Sequence, residues 1–307
     1  MAITASRLRR LNLQPENGPA FLSAASGLVR IGAYLYVIAD DELDLGVFPA
    51  RGRKAGRLHT LFKGVLPLTK KARKKHKPDL EALALLPPTR AYRHGALLVL
   101  GSGSHGNRRR AALVHLDADG AIVGLGAGGG KPDVLDLTPL YRPLEASLQK
   151  LNIEGALVCG QDLLLFQRGN KGGPNAVIRT KLAPALAALR KGTGRVSFTI
   201  QPHELGDIDG VPLGFTDAAP LPGGAILFTA AAEATGNAYD DGPCRGSAIG
   251  LLDGRGRLKW LKRLKGRIKV EGVHATCDGN TIEILLVSDA DNASVPAGLF
   301  RARVAAA

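Results

Sequence analysis

The 307-residue sequence is poor in cysteine, aromatic residues and long apolar runs, and each shortage excludes a class of protein. Its three cysteines, Cys159, Cys244 and Cys277, are too few and too dispersed for a disulfide framework or a thiolate metal site. No apolar run approaches the roughly 18 residues that a membrane-spanning helix needs, so we expect no membrane partner. The basic start MAITASRLRR is followed by no apolar stretch, which argues against a secretory leader and favours a cytoplasmic protein.

Charge is unevenly distributed, with 41 Lys and Arg against 27 Asp and Glu and a net charge of +14. The excess lies in basic runs at 51–54, 70–77, 108–110 and 255–269. Such runs attract anions or simply keep a surface soluble. We expect an anionic small molecule as partner and do not favour nucleic acid, because the runs lack the interleaved aromatic residues that stack on bases. The sequence does not predict the oligomeric state.

One pattern recurs five times: a polar residue, a small residue, an apolar strand, a tight turn and a second apolar strand. The second strands, such as YLYVIA and ALLVLG, are strong β signals bounded by Gly, Pro, Asn or Asp. The polar residues that open the first strands are Ser26, Glu81, Glu154, Asp217 and Glu271. Their spacings of 55, 73, 63 and 54 residues leave room for four strands per unit, which is the size of a propeller blade.

The sequence therefore predicts an all-β fold, a five-bladed β-propeller with four-stranded blades in a single domain. We expect the N-terminal strand to pair with the last blade and close the ring, because closure removes exposed sheet edges. Short helices are expected within 137–151 and 182–192, and the segment AIVGLG at 121–126 is expected to be an outer strand of the second blade. The blades are expected to span about 20–75, 76–150, 151–212, 213–268, and 269–307 together with 1–19 of the domain 1–307.

The strand-opening residues predict a metal site. In a propeller the first strand of every blade lines the central channel, so these residues would form a ring around the axis. Several carboxylates in one ring repel each other unless they are neutralised, and one bound cation would neutralise them together. An all-oxygen, flexible set favours Ca²⁺. The alternative is that each acid accepts hydrogen bonds from backbone N–H groups of its own loop. We predict that Ca²⁺ is bound by Ser26, Glu81, Glu154, Asp217 and Glu271.

The loops after the second strands predict a substrate funnel. Each second strand runs back antiparallel to the first, so its end lies at the same mouth of the channel as the predicted ring. Convergent polar groups above apolar strands are the usual form of a ligand site. We predict Asp40 or Asp41 as general base and His105 as general acid. The predicted substrate-binding residues are Ser102, Ser104, Arg168, Asn170, Glu233, Asp289 and Asp291.

At these strand starts the sequence resembles the calcium-activated apyrase family, five-bladed propellers with a calcium ion on the axis. That family holds the ion in a ring of Ser, Glu, Glu, Ser and Glu. The matching segments here are ASGLV, DLEALAL, NIEGAL, FTDAAP and VEGVHA, with Asp217 where the family has a serine. The resemblance also implies that Asp40 and Asp41 in ADDE match paired aspartates of the family, and that Arg168 in QRGN contacts phosphate. The strand starts are also similar to those of phytase-like, lactonase-like and functionally unassigned bacterial propellers.

These observations leave three functions open. The first is a Ca²⁺-dependent hydrolase of a phosphate ester or phosphoanhydride, in which the metal polarises a phosphoryl oxygen and Arg168 binds the anion. The second is a non-catalytic ligand- or partner-binding propeller with a purely structural calcium ion. The third is a lactonase or esterase, which needs the same metal and base but no phosphate clamp. The fold alone does not choose between them.

Overall fold

The computed structural model describes residues 2–14, 18–123, 131–169, 173–234 and 242–306. These residues form the predicted five-bladed β-propeller. The first strands of the five blades contact one another in a closed ring around a central channel. None of the described helices is long and apolar enough to cross a membrane.

Each blade is an antiparallel sheet whose strands follow chain order from the channel outward. A short N-terminal strand, β1 (Ser6–Arg10), precedes the first blade. The first blade contains β2 (Ala25–Ile31), β3 (Tyr34–Ala39), β4 (Asp44–Pro49) and β5 (Arg57–Thr60). The second contains β6 (Leu80–Leu86), β7 (Ala96–Gly101), β8 (Arg110–His115) and β9 (Asp133–Asp136). The third contains β10 (Ile153–Cys159), β11 (Asp162–Gln167), β12 (Asn175–Lys181) and β13 (Thr199–His203).

The last two blades differ slightly from this plan. The fourth carries a two-residue strand ahead of its four, and consists of β14 (Asp207–Ile208), β15 (Val211–Pro220), β16 (Ile226–Glu233), β17 (Cys244–Leu252) and β18 (Leu258–Arg263). The fifth contains β19 (Val270–Asp278), β20 (Thr281–Ser288) and β21 (Gly298–Ala305). Strand β1 pairs with β21 and supplies the missing outer strand, so the predicted closure of the ring is confirmed.

Among the described residues, three short α-helices lie outside the sheets: α1 (Lys70–His76), α2 (Thr138–Glu145) and α3 (Leu182–Lys191). The latter two lie within the segments predicted to be helical, and their apolar residues pack on the second and third blades. The predicted outer strand at 121–126 is wrong. Ile122 makes only an isolated bridge to Leu116, residues 124–126 lie outside the described residues, and β9 pairs with β8 instead. The sequence DVLD of β9 is short and half polar, so its β signal is weak.

The core lies between neighbouring blades, because strands in the middle of a blade are covered on both faces. Nearly every residue of β7 and β11 is buried, which explains their continuous apolar sequences ALLVLG and DLLLFQ. Between the third and fourth blades Phe166, Phe215 and Phe228 stack edge to face, with successive ring centroids 5.3 and 5.0 Å apart. Contacts of this kind fix the angle between blades and so position the channel.

Because β1 closes the ring by pairing with β21, we expect deletion of β1 to lower the stability of the fold. Removing residues 1–10 deletes the partner of β21 and the buried Ile3 side chain, and leaves an unpaired sheet edge. We expect unfolding to become easier by on the order of 3 kcal/mol or more, with a tendency to aggregate, as measured by urea denaturation and light scattering. The control is Leu8→Ser, which alters an exposed side chain of β1 and should leave the denaturation midpoint unchanged. Equal stability of the truncated and full chains would contradict the closure.

Candidate functional site

A β-bulge near the start of every innermost strand positions the side chains at one mouth of the channel. In each of the five inner hairpins the strand register shifts by one residue, which leaves one extra residue on the innermost strand. A bulge re-aims the extra side chain, and bulges are common beside active sites. The extra residues are Ser26, Glu81, Glu154, Thr216 and Glu271.

The fourth blade corrects the predicted ring, because Thr216 and not Asp217 holds the bulge position. Thr216 is buried and donates its hydroxyl hydrogen bond to Thr229 Oγ1 at 2.9 Å. Asp217 lies one residue deeper, where its carboxylate accepts hydrogen bonds from the backbone N–H groups of Ala218 and Val273, both at 2.8 Å. Burial raises the pKa of Asp217 well above its usual range, although these bonds oppose the shift. The carboxyl oxygens of Asp217 therefore accept hydrogen bonds from backbone N–H groups instead of binding a metal ion.

On the side of blades three to five, two buried cations neutralise the carboxylates. Arg168 lies 3.2 Å from Glu154 and 2.7 Å from Glu233. Lys269 lies 2.5 Å from Glu233 and 3.2 Å from Glu271. Burial alone would lower the pKa values of both cations, but the surrounding carboxylates raise them well above their usual ranges, so both stay charged. Two fixed side-chain cations thus tie the mouths of these three blades together.

On the side of blades one and two, carboxylates come closer to one another. One oxygen from each of Asp40, Asp79 and Glu81 lies within 4.8 Å of the other two. Asp79 has a left-handed backbone at φ 57°, an uncommon conformation for a side-chain-bearing residue that often marks a functional site. Burial, followed by the charge of Glu154, raises the pKa of Glu81 well above its usual range. The structure therefore places three carboxyl groups close together here, and their proximity favours the protonated form of Glu81.

Two cations also reach this carboxylate cluster, which we name the Asp40–Asp79–Glu81 triad. Lys77 makes ion pairs with Asp40 and, at 2.9 Å, with Asp79. Arg108 lies 2.8 Å from Asp79 Oδ2 and donates to Ser104 Oγ at 2.7 Å. No described cation makes an ion pair with Glu81 within 4.0 Å, so the triad keeps one carboxyl group that only more distant charge influences.

The two sides enclose a cavity of about 510 Å³ at the channel mouth, within the size range of small-molecule sites. Eight Asp or Glu and six Lys or Arg side chains line it, in a chain in which Lys and Arg outnumber Asp and Glu by 41 to 27. The acids are Asp40, Asp79, Glu81, Glu145, Glu154, Glu233, Glu271 and Asp289. The bases are Lys74, Lys77, Arg108, Lys150, Arg168 and Lys269. The cavity is therefore richer in acidic groups than the rest of the protein.

Most of the residues predicted for the funnel do line this cavity: Asp40, Ser104, His105, Arg168, Glu233 and Asp289. Others lie beside it. Asp41 faces Arg73 at 3.8 Å, Ser102 donates to Asp79 Oδ2 at 2.5 Å, and Asp291 lies 2.6 Å from Lys269. Asn170 lies outside the described residues. The roles assigned to these residues stay predictions.

The donor atoms of the triad suit a hard divalent cation such as Ca²⁺ or Mg²⁺, because both prefer carboxylate oxygens. The residues of the predicted axial ring are less suited to bind such a cation. Thr216 and Asp217 make other hydrogen bonds, and Arg168 and Lys269 already lie within 3.2 Å of Glu154 and Glu271. An ion at the triad would compete with Lys77 for two of the three carboxylates.

Residues 21–304 match a family described as a family of unknown function, DUF6929. The chain belongs to this family. No curated protein sequence matches the chain. The matched family carries no assigned activity, so membership leaves the function of the channel mouth open.

Solved structures resemble this DUF6929 chain only as folds. An α-L-arabinanase of Penicillium chrysogenum complexed with arabinobiose shares 11% identity over 93% of this chain and 82% of its own, with a TM-score of 0.43. A gluconolactonase of Xanthomonas campestris shares 12% identity over 98% and 97%, with a TM-score of 0.36. The WD40 propeller domain of Doa1 shares 8% over 98% and 97%, with a TM-score of 0.37. Such values carry no argument about activity, and nothing in them supports the apyrase resemblance.

Sequence reasoning missed Lys77, Asp79, Arg108 and Lys269 as site residues. A signal for two of them was present, because Asp79 and Lys269 each stand two residues before a bulge residue, as Asn152 does before Glu154. Lys77 and Arg108 lie in basic runs that resemble solvated surface, and only the tertiary structure buries them. A second signal could have found Thr216: every bulge residue directly follows an apolar residue, and Asp217 does not.

Because Arg168 pairs with both Glu154 and Glu233, we expect Arg168→Met to lower the stability of the fold strongly. This change leaves Glu154 and Glu233 buried without their shared guanidinium group, so we expect a loss of about 3–5 kcal/mol of unfolding free energy at pH 7.5, measured by urea denaturation. The control is Arg179→Met in the same blade, which removes a partly exposed ion pair with Asp162 and should cost less than about 1 kcal/mol. Equal losses of unfolding free energy in the two variants would contradict the stabilising role of the Arg168 ion pairs.

Glu271 predicts a pH dependence of stability. Burial raises the pKa of Glu271 to about 8 from an ordinary value of 4.5. The folded chain therefore binds this proton more tightly than the unfolded chain, and stability falls as pH rises from about 4.5 to about 8. In the presence of a chelator, Glu271→Gln should match the parent at pH 4.5 and exceed it at pH 8 by about 4 kcal/mol, since each pKa unit corresponds to about 1.36 kcal/mol. The readout is the unfolding free energy, with the exposed-pair variant Glu283→Gln as control. A variant that declines as steeply as the parent would contradict the assignment.

Proposed function

We propose that the protein is a divalent-cation-assisted hydrolase that opens a small ester or lactone in the cavity at the channel mouth. The supporting observation is the Asp40–Asp79–Glu81 triad, in which one oxygen of each carboxyl group lies within 4.8 Å of the other two beside a cavity lined by many acidic groups. Carboxylate oxygens at this spacing suit a hard divalent cation, and a bound cation would favour the ionised form of Glu81. We thus propose both the binding of a divalent cation and the hydrolytic reaction.

The charges of the cavity favour an uncharged ester over a phosphate. Four cations reach deepest into the mouth, and each lies within 4.0 Å of at least one carboxylate: Lys77, Arg108, Arg168 and Lys269. Arg168, which was predicted to bind phosphate, is only 6% exposed and lies between glutamates. An incoming phosphate would have to displace these carboxylates, whereas a neutral ester or lactone would not.

In this proposal the bound cation and the side chains around the triad have separate roles in the reaction. A bound cation would polarise the substrate carbonyl and acidify water. His105 lines the cavity and is suited to take a proton from the attacking water and return it to the leaving alcohol. Arg108 donates to Asp79 and to Ser104 Oγ, and Ser104 in turn donates to Ser102 Oγ at 2.9 Å, so these bonds hold Asp79 in place beside the cavity. Asp41, predicted as a base, is paired with Arg73 outside the cavity, and His105 takes that role in this proposal.

One observation favours a second function, a propeller that binds a ligand at this mouth without transforming it. Arg168 and Lys269 already join blades three to five without any metal ion. If side-chain cations suffice to hold the ring, the triad would serve only to bind a ligand, and no turnover would be seen.

The test combines metal binding with a substrate screen. Chelator-treated protein receives Ca²⁺, Mg²⁺ or Mn²⁺, and melting temperature and hydrolysis of δ-lactones, p-nitrophenyl acetate and p-nitrophenyl phosphate are measured. We expect metal to raise the melting temperature and to be required for lactone or acetate turnover. Asp79→Asn should lower kcat about 100-fold or more. Glu145→Gln, which lines the same cavity but pairs with Arg109 outside the triad, is the control and should keep near-parent activity.

Three outcomes would reject the proposal in different ways. Turnover of phosphate in preference to esters would restore the phosphohydrolase prediction. Turnover that a chelator leaves unchanged would remove the metal. A metal-dependent rise in melting temperature without turnover of any substrate would favour the binding propeller.

A further inference from the structure

The opposite mouth of the channel holds a second cavity, of about 380 Å³, formed by the far ends of all five innermost strands. Its lining is mainly aliphatic, in contrast to the acidic first cavity. The apolar lining includes Leu28, Leu83, Leu85, Leu86, Leu157 and Val273, together with three prolines. Leu85 is 42% exposed to solvent, so part of this apolar surface faces water.

The two cavities are separated where the five strands crowd the axis. A Cβ atom on Gly155 would lie 2.9 Å from Asp217 Cα, and one on Gly272 would lie 3.0 Å from the carbonyl carbon of Gly27. The buried Asp217 carboxylate fills this level with its hydrogen bonds to Ala218 and Val273. A ligand in the second cavity therefore does not reach the first one.

The titratable groups that line the second cavity are all basic: Arg30, His94 and His274. No described carboxylate lies within 4.0 Å of the Arg30 guanidinium group, although Arg30 is half-buried. This differs from the first cavity, where Lys77, Arg168 and Lys269 are all paired. An unpaired guanidinium group beside an apolar wall is complementary to an anion that carries an apolar chain.

His274 adds a neutral donor beside Arg30. Its Nδ1 accepts a hydrogen bond from the Arg30 backbone N–H at 3.3 Å. Burial, followed by the charge of Arg30, lowers the pKa of His274 to about 4, so the ring is neutral at pH 7 and carries its proton on Nε2. Arg30 and His274 therefore line the same cavity as neighbours, and each side chain carries an N–H donor.

We propose that this second mouth binds a small carboxylate with an unbranched apolar chain, with the carboxylate on Arg30 and His274 and the chain on the leucines of β2, β6 and β10. The volume lies near the lower end of the range for ligand cavities, about 300–1,000 Å³, which favours a chain of medium length. The site is independent of the hydrolase proposed for the first cavity, because Asp217 and the crowded strands lie between them.

The test is titration of the full chain with octanoate, monitored by calorimetry at pH 7. We expect saturable binding of one octanoate per chain, and about fourfold tighter binding for each methylene added from hexanoate to octanoate. Octanol, which lacks the charge, should bind more weakly than octanoate. Arg30→Gln should weaken octanoate at least about tenfold and leave octanol unchanged, whereas Arg30→Lys should keep most of the octanoate affinity.

A matched pair of exposed leucines tests the apolar wall. Leu85→Ser, at the cavity, should weaken octanoate, while Leu258→Ser, equally exposed at 40% but on the outer strand of blade four, should not. Absence of saturable binding, equal binding of octanol and octanoate, or full octanoate affinity in Arg30→Gln would each overturn the proposal. A dimer in light scattering that dissociates in Arg30→Gln would assign this mouth to a second copy of the chain and would overturn it too.

Discussion

Buried carboxylates that face one another must be neutralised, and this requirement organises the centre of the propeller. The bulges on the innermost strands bring acids from several blades to one mouth, where little water remains to screen them. The chain meets the requirement differently on the two sides of the axis. Arg168 and Lys269 make ion pairs with the glutamates of blades three to five, whereas in the triad of blades one and two Glu81 makes no ion pair within 4.0 Å among the described residues. The proposed cation therefore belongs at the triad, off the axis.

The same crowding gives the channel two unlike ends. Asp217, one residue beyond the ring position, accepts hydrogen bonds from the backbone N–H groups of Ala218 on its own strand and Val273 on a neighbouring strand, and so seals the middle. Above it lies an acidic cavity with many ion pairs, and below it lies an apolar cavity with an unpaired Arg30. Two mouths of opposite character on one fold show how a propeller separates its binding surfaces from the sheets that support them.

The fold could be predicted from sequence because each inner hairpin repeats one strong signal and because pairing of the N-terminal strand with the last blade removes exposed sheet edges. The approximate position of the site followed from the same repeat. Its details did not, since a shift of one residue exchanges Asp217 for Thr216, and only strand pairing reveals the bulge. Likewise, Lys77 and Lys269 are two of many basic residues in the sequence, and their burial depends on contacts between distant segments. The weak strand β9 was missed because its pairing, not its composition, defines it.

The most direct test of the central claim is the position of a divalent ion in a crystal of the protein soaked in Mn²⁺, located by anomalous scattering. The account predicts one peak bonded to the carboxylates of Asp40, Asp79 and Glu81, with Lys77 displaced from Asp40. A peak on the axis between Glu154 and Glu271, or no peak at the channel mouth, would contradict it.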